Sequence, residues 1–225
     1  MRPLKINVVQ SGYTSTIATH EVLRKTYFLL SLTLLFSAAM AGIAMRTNAM
    51  PLNFLIQIIG MFGLLFLTMW LRNSVWGLVS IFAFTGFVGY TMGPMMNMYI
   101  KEFTNGSQLI LTSLGATGVI FLALSAYVLT TKKDFSYLAG FLFVALLGAF
   151  LLSLAGMLFH LPILQLGMSF AFVVIFSGYI LYNTSQILLG GQTNYIMATI
   201  SLYLDILNLF LSLLQILAAF SGNRR

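Results

Sequence analysis

Seven runs of predominantly apolar residues follow one another along the chain, with only short polar breaks between them. Crossing a hydrocarbon core of about 30 Å as a helix takes roughly 20 such residues. The runs occupy 26–45, 51–71, 75–100, 109–129, 135–159, about 163–187 and 195–220. The breaks carry residues that end helices and turn chains: Arg46 to Met50 ahead of Pro51, Arg72-Asn73-Ser74, KEFTNGSQ, TTKKD, HLP and GGQTN. None is long enough to fold as a second domain. The pattern predicts an all-α integral membrane protein, with an N-terminal tail over 1–25, a domain of seven transmembrane helices over 26–220 and a short C-terminal tail over 221–225.

Composition agrees with this reading. Of 225 residues 60% are hydrophobic and only 7% charged, against roughly 25% charged in a soluble domain. The net charge of +7 therefore reports which loops stay in the cytoplasm, and no nucleic-acid partner is expected. With the N-terminus inside, Arg2, Lys5, Arg24, Lys25, Arg72, Lys132 and Lys133 lie inside, and Arg46, Lys101, Arg224 and Arg225 outside. That excess favours a cytoplasmic N-terminus. A rival topology has the last run re-entrant, which returns Arg224 and Arg225 to the cytoplasm, and charge alone prefers it. The first run is long for a signal-peptide core, so a retained anchor is expected despite the small residues of SAAMAGIAM. The absence of cysteine excludes disulfides, thiolate metal sites and thiol catalysis.

The last run departs from uniform apolarity. Ser201, Asp205, Asn208, Ser212 and Gln215 recur at steps of four, three, four and three, which stacks them on one narrow helical face. An ionised Asp at the centre of a span costs roughly 2.5–3.5 kcal/mol on insertion scales. The stripe should therefore face protein or a water-filled cavity, and the last helix should be central. For Ser201, Asn208, Ser212 and Gln215 the plainer role is hydrogen bonding between helices, worth about 0.6 kcal/mol each. Asp205 is the ion-path or gating candidate. The sixth run ends in GYILYNTSQILL, and the short GGQTN link makes it an antiparallel neighbour of the seventh. Asn183 can then donate to the Asp205 carboxyl. Arg72, at the end of the second run, is the available cation for that carboxyl; its plainer role is an interfacial arginine beside Trp70 and Trp76.

Elsewhere the chain lacks the groups that enzymes need. His20 and His160 lie near span boundaries, and there is no His-Glu-x-x-His, paired-Glu, GxSxG, P-loop or GxGxxG motif. The last run has no lysine that could hold retinal. Neither catalysis nor a cofactor is expected. Gly86, Gly89 and Gly93, with Pro94, read as close helix packing and a kink. Met92, Met95, Met96 and Met98 spread around their helix and read as packing, not as a metal site. Asn105-Gly106-Ser107 matches a glycosylation sequon that arises readily by chance.

The stretch ILYNTSQILLGGQTNYIMATISLYLDILNLFLSLLQIL (180–217) resembles the Bax inhibitor family of seven-helix membrane proteins. THEVLRKTYFLLSLTLLFSA and SAYVLTTKKDFSYLAG resemble its bacterial YccA-like branch, and the likeness runs over nearly the whole chain. The resemblance implies six helices surrounding a central C-terminal helix, a true seventh crossing, and a bacterial inner membrane with the C-terminus periplasmic. From the YccA-like branch it implies a substrate and modulator of the membrane AAA protease FtsH, engaged through residues 1–25. From calcium-leak members it implies a pH-sensing pair of aspartates on helices six and seven, closed by an arginine at the end of helix two. By matching motif these positions are Asn183, Asp205 and Arg72. Two adjacent carboxyls share a proton because their charges repel, and the amide of Asn183 supplies no such repulsion. The acidic pair is incomplete in this chain.

Overall fold

The structure is a computed structural model that describes residues 6–222, with side chains from residue 19 onward. Among these residues seven α-helices follow in order: α1 (Ile6–Arg46), α2 (Phe54–Leu71), α3 (Trp76–Glu102), α4 (Gly106–Thr131), α5 (Leu138–Leu158), α6 (Pro162–Leu188) and α7 (Tyr195–Ser221). All seven are long and apolar enough to cross a membrane, and this is an integral membrane protein of seven transmembrane helices. Residues 1–5 and 223–225, with Arg2, Lys5, Arg224 and Arg225, lie outside the described residues.

The breaks found in the sequence end the helices for identifiable reasons. Pro162 opens α6, where its missing N–H costs nothing. Lys132, in the left-handed region at φ 53°, closes α4. The first helix differs from expectation: α1 begins at Ile6 and runs unbroken through the polar segment assigned to the tail. No proline interrupts that stretch, so no main-chain N–H is missing from its helical ladder. The re-entrant alternative for the last run is overturned, since α7 is one continuous helix of 27 residues, roughly 40 Å long.

The C-terminal helix is central. α7 is the most buried of the seven and packs against α1, α3, α4 and α6. Its Leu202, Tyr203 and Leu209 join Leu30 of α1, Phe84 of α3 and Ile180 of α6 in the main core. The α1–α3 seam is the most extensive contact in the molecule, because α3 presents Gly86, Gly89 and Gly93 to α1. A Cβ on Gly89 would strike the main-chain carbonyl of Ser37, and one on Gly93 the side chain of Ala44. Small residues allow the backbones this approach, which is what drives helix association where lipid removes any hydrophobic incentive. α2 and α5 complete the ring differently: α2 packs on α3 and α5 on α6, without substantial packing against α7 or against each other.

Candidate functional site

One asparagine sets the start of α7. Asn194 Oδ1 accepts the main-chain N–H groups of Ile196 and Met197 at 3.0 and 3.1 Å, satisfying donors that a helix start leaves free. Its Nδ2 donates to the Arg72 carbonyl at 3.0 Å and to Asn73 Oδ1 at 2.9 Å, tying the α2–α3 turn to the same point. Gly190, at φ 80°, supplies the reversal between α6 and α7 that a side chain would strain.

The resulting antiparallel pair brings Asn183 to Asp205. Asn183 Nδ2 donates to Asp205 Oδ2 at 2.6 Å. Asp205 is only 5% exposed, and its second oxygen takes no hydrogen bond from a described residue. The carboxyl borders a cavity of about 620 Å³ that reaches outward between α2 and α5. Asn183, Ser201, Asp205 and Asn208 form its polar floor, and aromatic and leucine side chains its walls. A smaller cavity of about 100 Å³, lined among others by Asn183, Gln186, Gln192 and Ser201, adjoins the α6–α7 turn. Asn183 and Ser201 border both spaces. The arrangement offers one carboxyl on a polar floor; no group of three acidic or histidine side chains able to hold a metal occurs among the described residues.

The rest of the stripe divides into two uses. Asn208 Nδ2 and Ser212 Oγ donate to carbonyls of their own helix, Leu204 and Asn208, both at 2.7 Å. They therefore do not bridge helices through these donors. Gln215, exposed at the far end, accepts from Ser169 Oγ of α6 at 2.8 Å. α6 and α7 are thus joined by two polar ties along the stripe, one at Asp205 and one at Gln215.

Arg72 is not joined to Asp205. It is exposed, and the ion pair among the described residues is Lys25 with Glu21, at 2.7 Å. The reason is axial distance: the Arg72 backbone is level with Asn194, and Asp205 lies roughly 16 Å further along α7 at 1.5 Å per residue. Exposed Trp70 and Trp76 flank it, the surroundings of an interfacial arginine.

The family model described as inhibitor of apoptosis-promoting Bax1 matches residues 19–222. The chain belongs to the Bax inhibitor family. Among Bax inhibitor relatives, it is 46% identical over 212 residues to a protein of Escherichia coli K12 named modulator of FtsH protease YccA, covering 93% of this chain and 96% of that one. It is 52% identical over 205 residues to an uncharacterized protein of Pseudomonas aeruginosa, covering 90% of each. An uncharacterized membrane protein of Vibrio cholerae is 44% identical over 214 residues, covering 95% of this chain and 96% of its own.

Sequence reasoning missed two features of this Bax inhibitor chain. Tyr203, fully buried, shares a 2.8 Å hydrogen bond with Ser37 of α1, and its hydroxyl donates to the Thr85 carbonyl of α3 at 3.4 Å. A tyrosine in mid-span needs a partner for its hydroxyl, which was the available signal. The cavity walls, such as Phe62 and Phe143, gave no signal, since apolar side chains read alike whether they meet lipid or a cavity.

The two α6–α7 ties predict unequal losses. Asn183→Leu should lower stability by about 1–2 kcal/mol, near the upper end for a membrane hydrogen bond, because it strands a buried carboxyl. Ser169→Ala should cost less, since exposed Gln215 finds other partners. Thermal unfolding of the purified variants measures both, and an equal or reversed order contradicts the assignment.

Proposed function

We propose that this Bax inhibitor chain is a YccA-like inner-membrane protein that is both a substrate and a modulator of an FtsH-type membrane protease. The observation that carries the reading is the full-length similarity, at 46% identity, to the protein named modulator of FtsH protease YccA; a second Escherichia coli relative of equal identity is named inner membrane protein YccA. The N-terminal segment is the proposed handle. Thr19 and His20 share a cavity wall with Lys132 and the α6–α7 turn, so the first helix emerges on the side that holds these groups. By helix order that side carries Arg24, Lys25, Arg72, Lys132 and Lys133, against Arg46 and Lys101 on the other. The positive excess supports a cytoplasmic N-terminus and, after seven crossings, a periplasmic C-terminus. A cytoplasmic ATP-driven protease can then reach residues 1–25. Deleting residues 2–15 should lengthen the protein's half-life in cells that contain FtsH and leave it unchanged where FtsH is absent; equal turnover of full-length and truncated protein in FtsH-containing cells contradicts the proposal.

A second reading rests on the Asp205 oxygen to which no described residue donates, beside the cavity floor. Such a group attracts cations, and a calcium or general cation leak alongside α7 follows from it. Asn183 in place of a second acid, and Arg72 apart from Asp205, argue against gating by an acidic pair with an arginine latch. In calcium-loaded liposomes, Asp205→Asn should abolish any flux that the purified protein supports; undiminished flux removes Asp205 from the path.

A further inference from the structure

The space between α2 and α5 has two chemically different parts. Its outer part is apolar and aromatic, built from Phe62 of α2 and Phe143, Leu147 and Phe150 of α5, which are 46–64% exposed at the bundle surface. Its inner part is the Asp205 floor, with Phe176 and Tyr179 of α6 beside it. Among the described residues the cavity lining contains no lysine, arginine or histidine, so none of them supplies a countercharge for the carboxyl. About 620 Å³ falls within the roughly 300–1,000 Å³ typical of small-molecule sites, which likewise pair mostly apolar walls with a few fixed polar groups.

This combination selects an occupant. A hydrated inorganic ion gains nothing from the phenylalanine walls. A lipid tail gains nothing from the carboxyl and leaves its free oxygen without a donor. An anionic amphiphile is repelled. A hydrophobic ammonium ion satisfies every part: its N–H donates to the free Asp205 oxygen as a charge-assisted hydrogen bond, aromatic faces receive the cation, and its apolar body fills the outer space. We propose that the α2–α5 crevice is a binding site for a hydrophobic organic amine, which enters sideways from the bilayer with its cationic nitrogen at Asp205. The site shares the Asp205 oxygen with the cation reading but needs neither ion flux nor a protease, so its binding test can succeed or fail separately from the flux and turnover tests above.

The test uses the full-length protein in nanodiscs of zwitterionic phosphatidylcholine, with tritiated propranolol as the probe and empty discs subtracted. Expected is saturable binding that unlabelled propranolol displaces and its N-acetylated, uncharged counterpart does not. Asp205→Asn should weaken binding by about tenfold or more, the loss of one charge-assisted hydrogen bond. Leu147→Trp should fill the crevice and remove binding; Leu147 is 50% exposed, so this variant keeps its core even if Asp205→Asn does not fold. Absence of saturable binding, equal competition by the acetylated compound, or unchanged affinity in Leu147→Trp overturns the proposal.

Discussion

A carboxyl group cannot face lipid tails without a large free-energy cost, and the bundle is arranged around that restriction on Asp205. The helix that carries it is the central one, enclosed by α1, α3, α4 and α6. Its partner, Asn183, comes from α6, the other helix of the same hairpin, so the α6–α7 turn that fixes the hairpin also fixes the hydrogen bond. Two residues earlier, Tyr203 turns its hydroxyl toward Ser37 and Thr85 and ties the central helix to α1 and α3. Hydrogen bonds in a membrane each contribute little. Here they act mainly by fixing the rotation of α7, because a turned helix would leave several polar groups in hydrocarbon at once.

Enclosure is incomplete on one side, and that side is where the polar face lies. The close α1–α3 seam, made possible by glycines on α3, draws those helices together. α2 and α5 are each anchored to a single neighbour and stand away from α7. What results is a crevice with lipid-like walls and a carboxyl at its base. The same geometry that shelters Asp205 from bulk lipid leaves one of its oxygens open to a visitor.

Much of this was legible in the chain. The seven spans follow from apolar run length, and the central position of α7 follows from the spacing of Ser201, Asp205, Asn208, Ser212 and Gln215. The approach of Asn183 to Asp205 follows from the short GGQTN link. Three things were not legible. Hydropathy cannot distinguish Phe62 or Phe143 on a cavity wall from the same residues against lipid, since both surroundings are apolar. Arg72 carries the right charge for Asp205, but only the axial offset along α7 reveals that the two are separated. The helix that continues through the polar segment before residue 26 has no hydrophobic period to announce it, because water and headgroups impose none.

The polar face of α7 borders open space near the α6–α7 turn instead of being sealed by packing. The chain contains no cysteine, so a single introduced thiol reports on its own site. Ser201 lines both cavities, whereas its neighbour Leu202 is wholly buried in the core. The decisive measurement is the rate at which a small water-soluble methanethiosulfonate labels Ser201→Cys and Leu202→Cys in the folded protein. Ser201→Cys should label readily and Leu202→Cys should stay protected; equal protection of both would show the polar face sealed by packing.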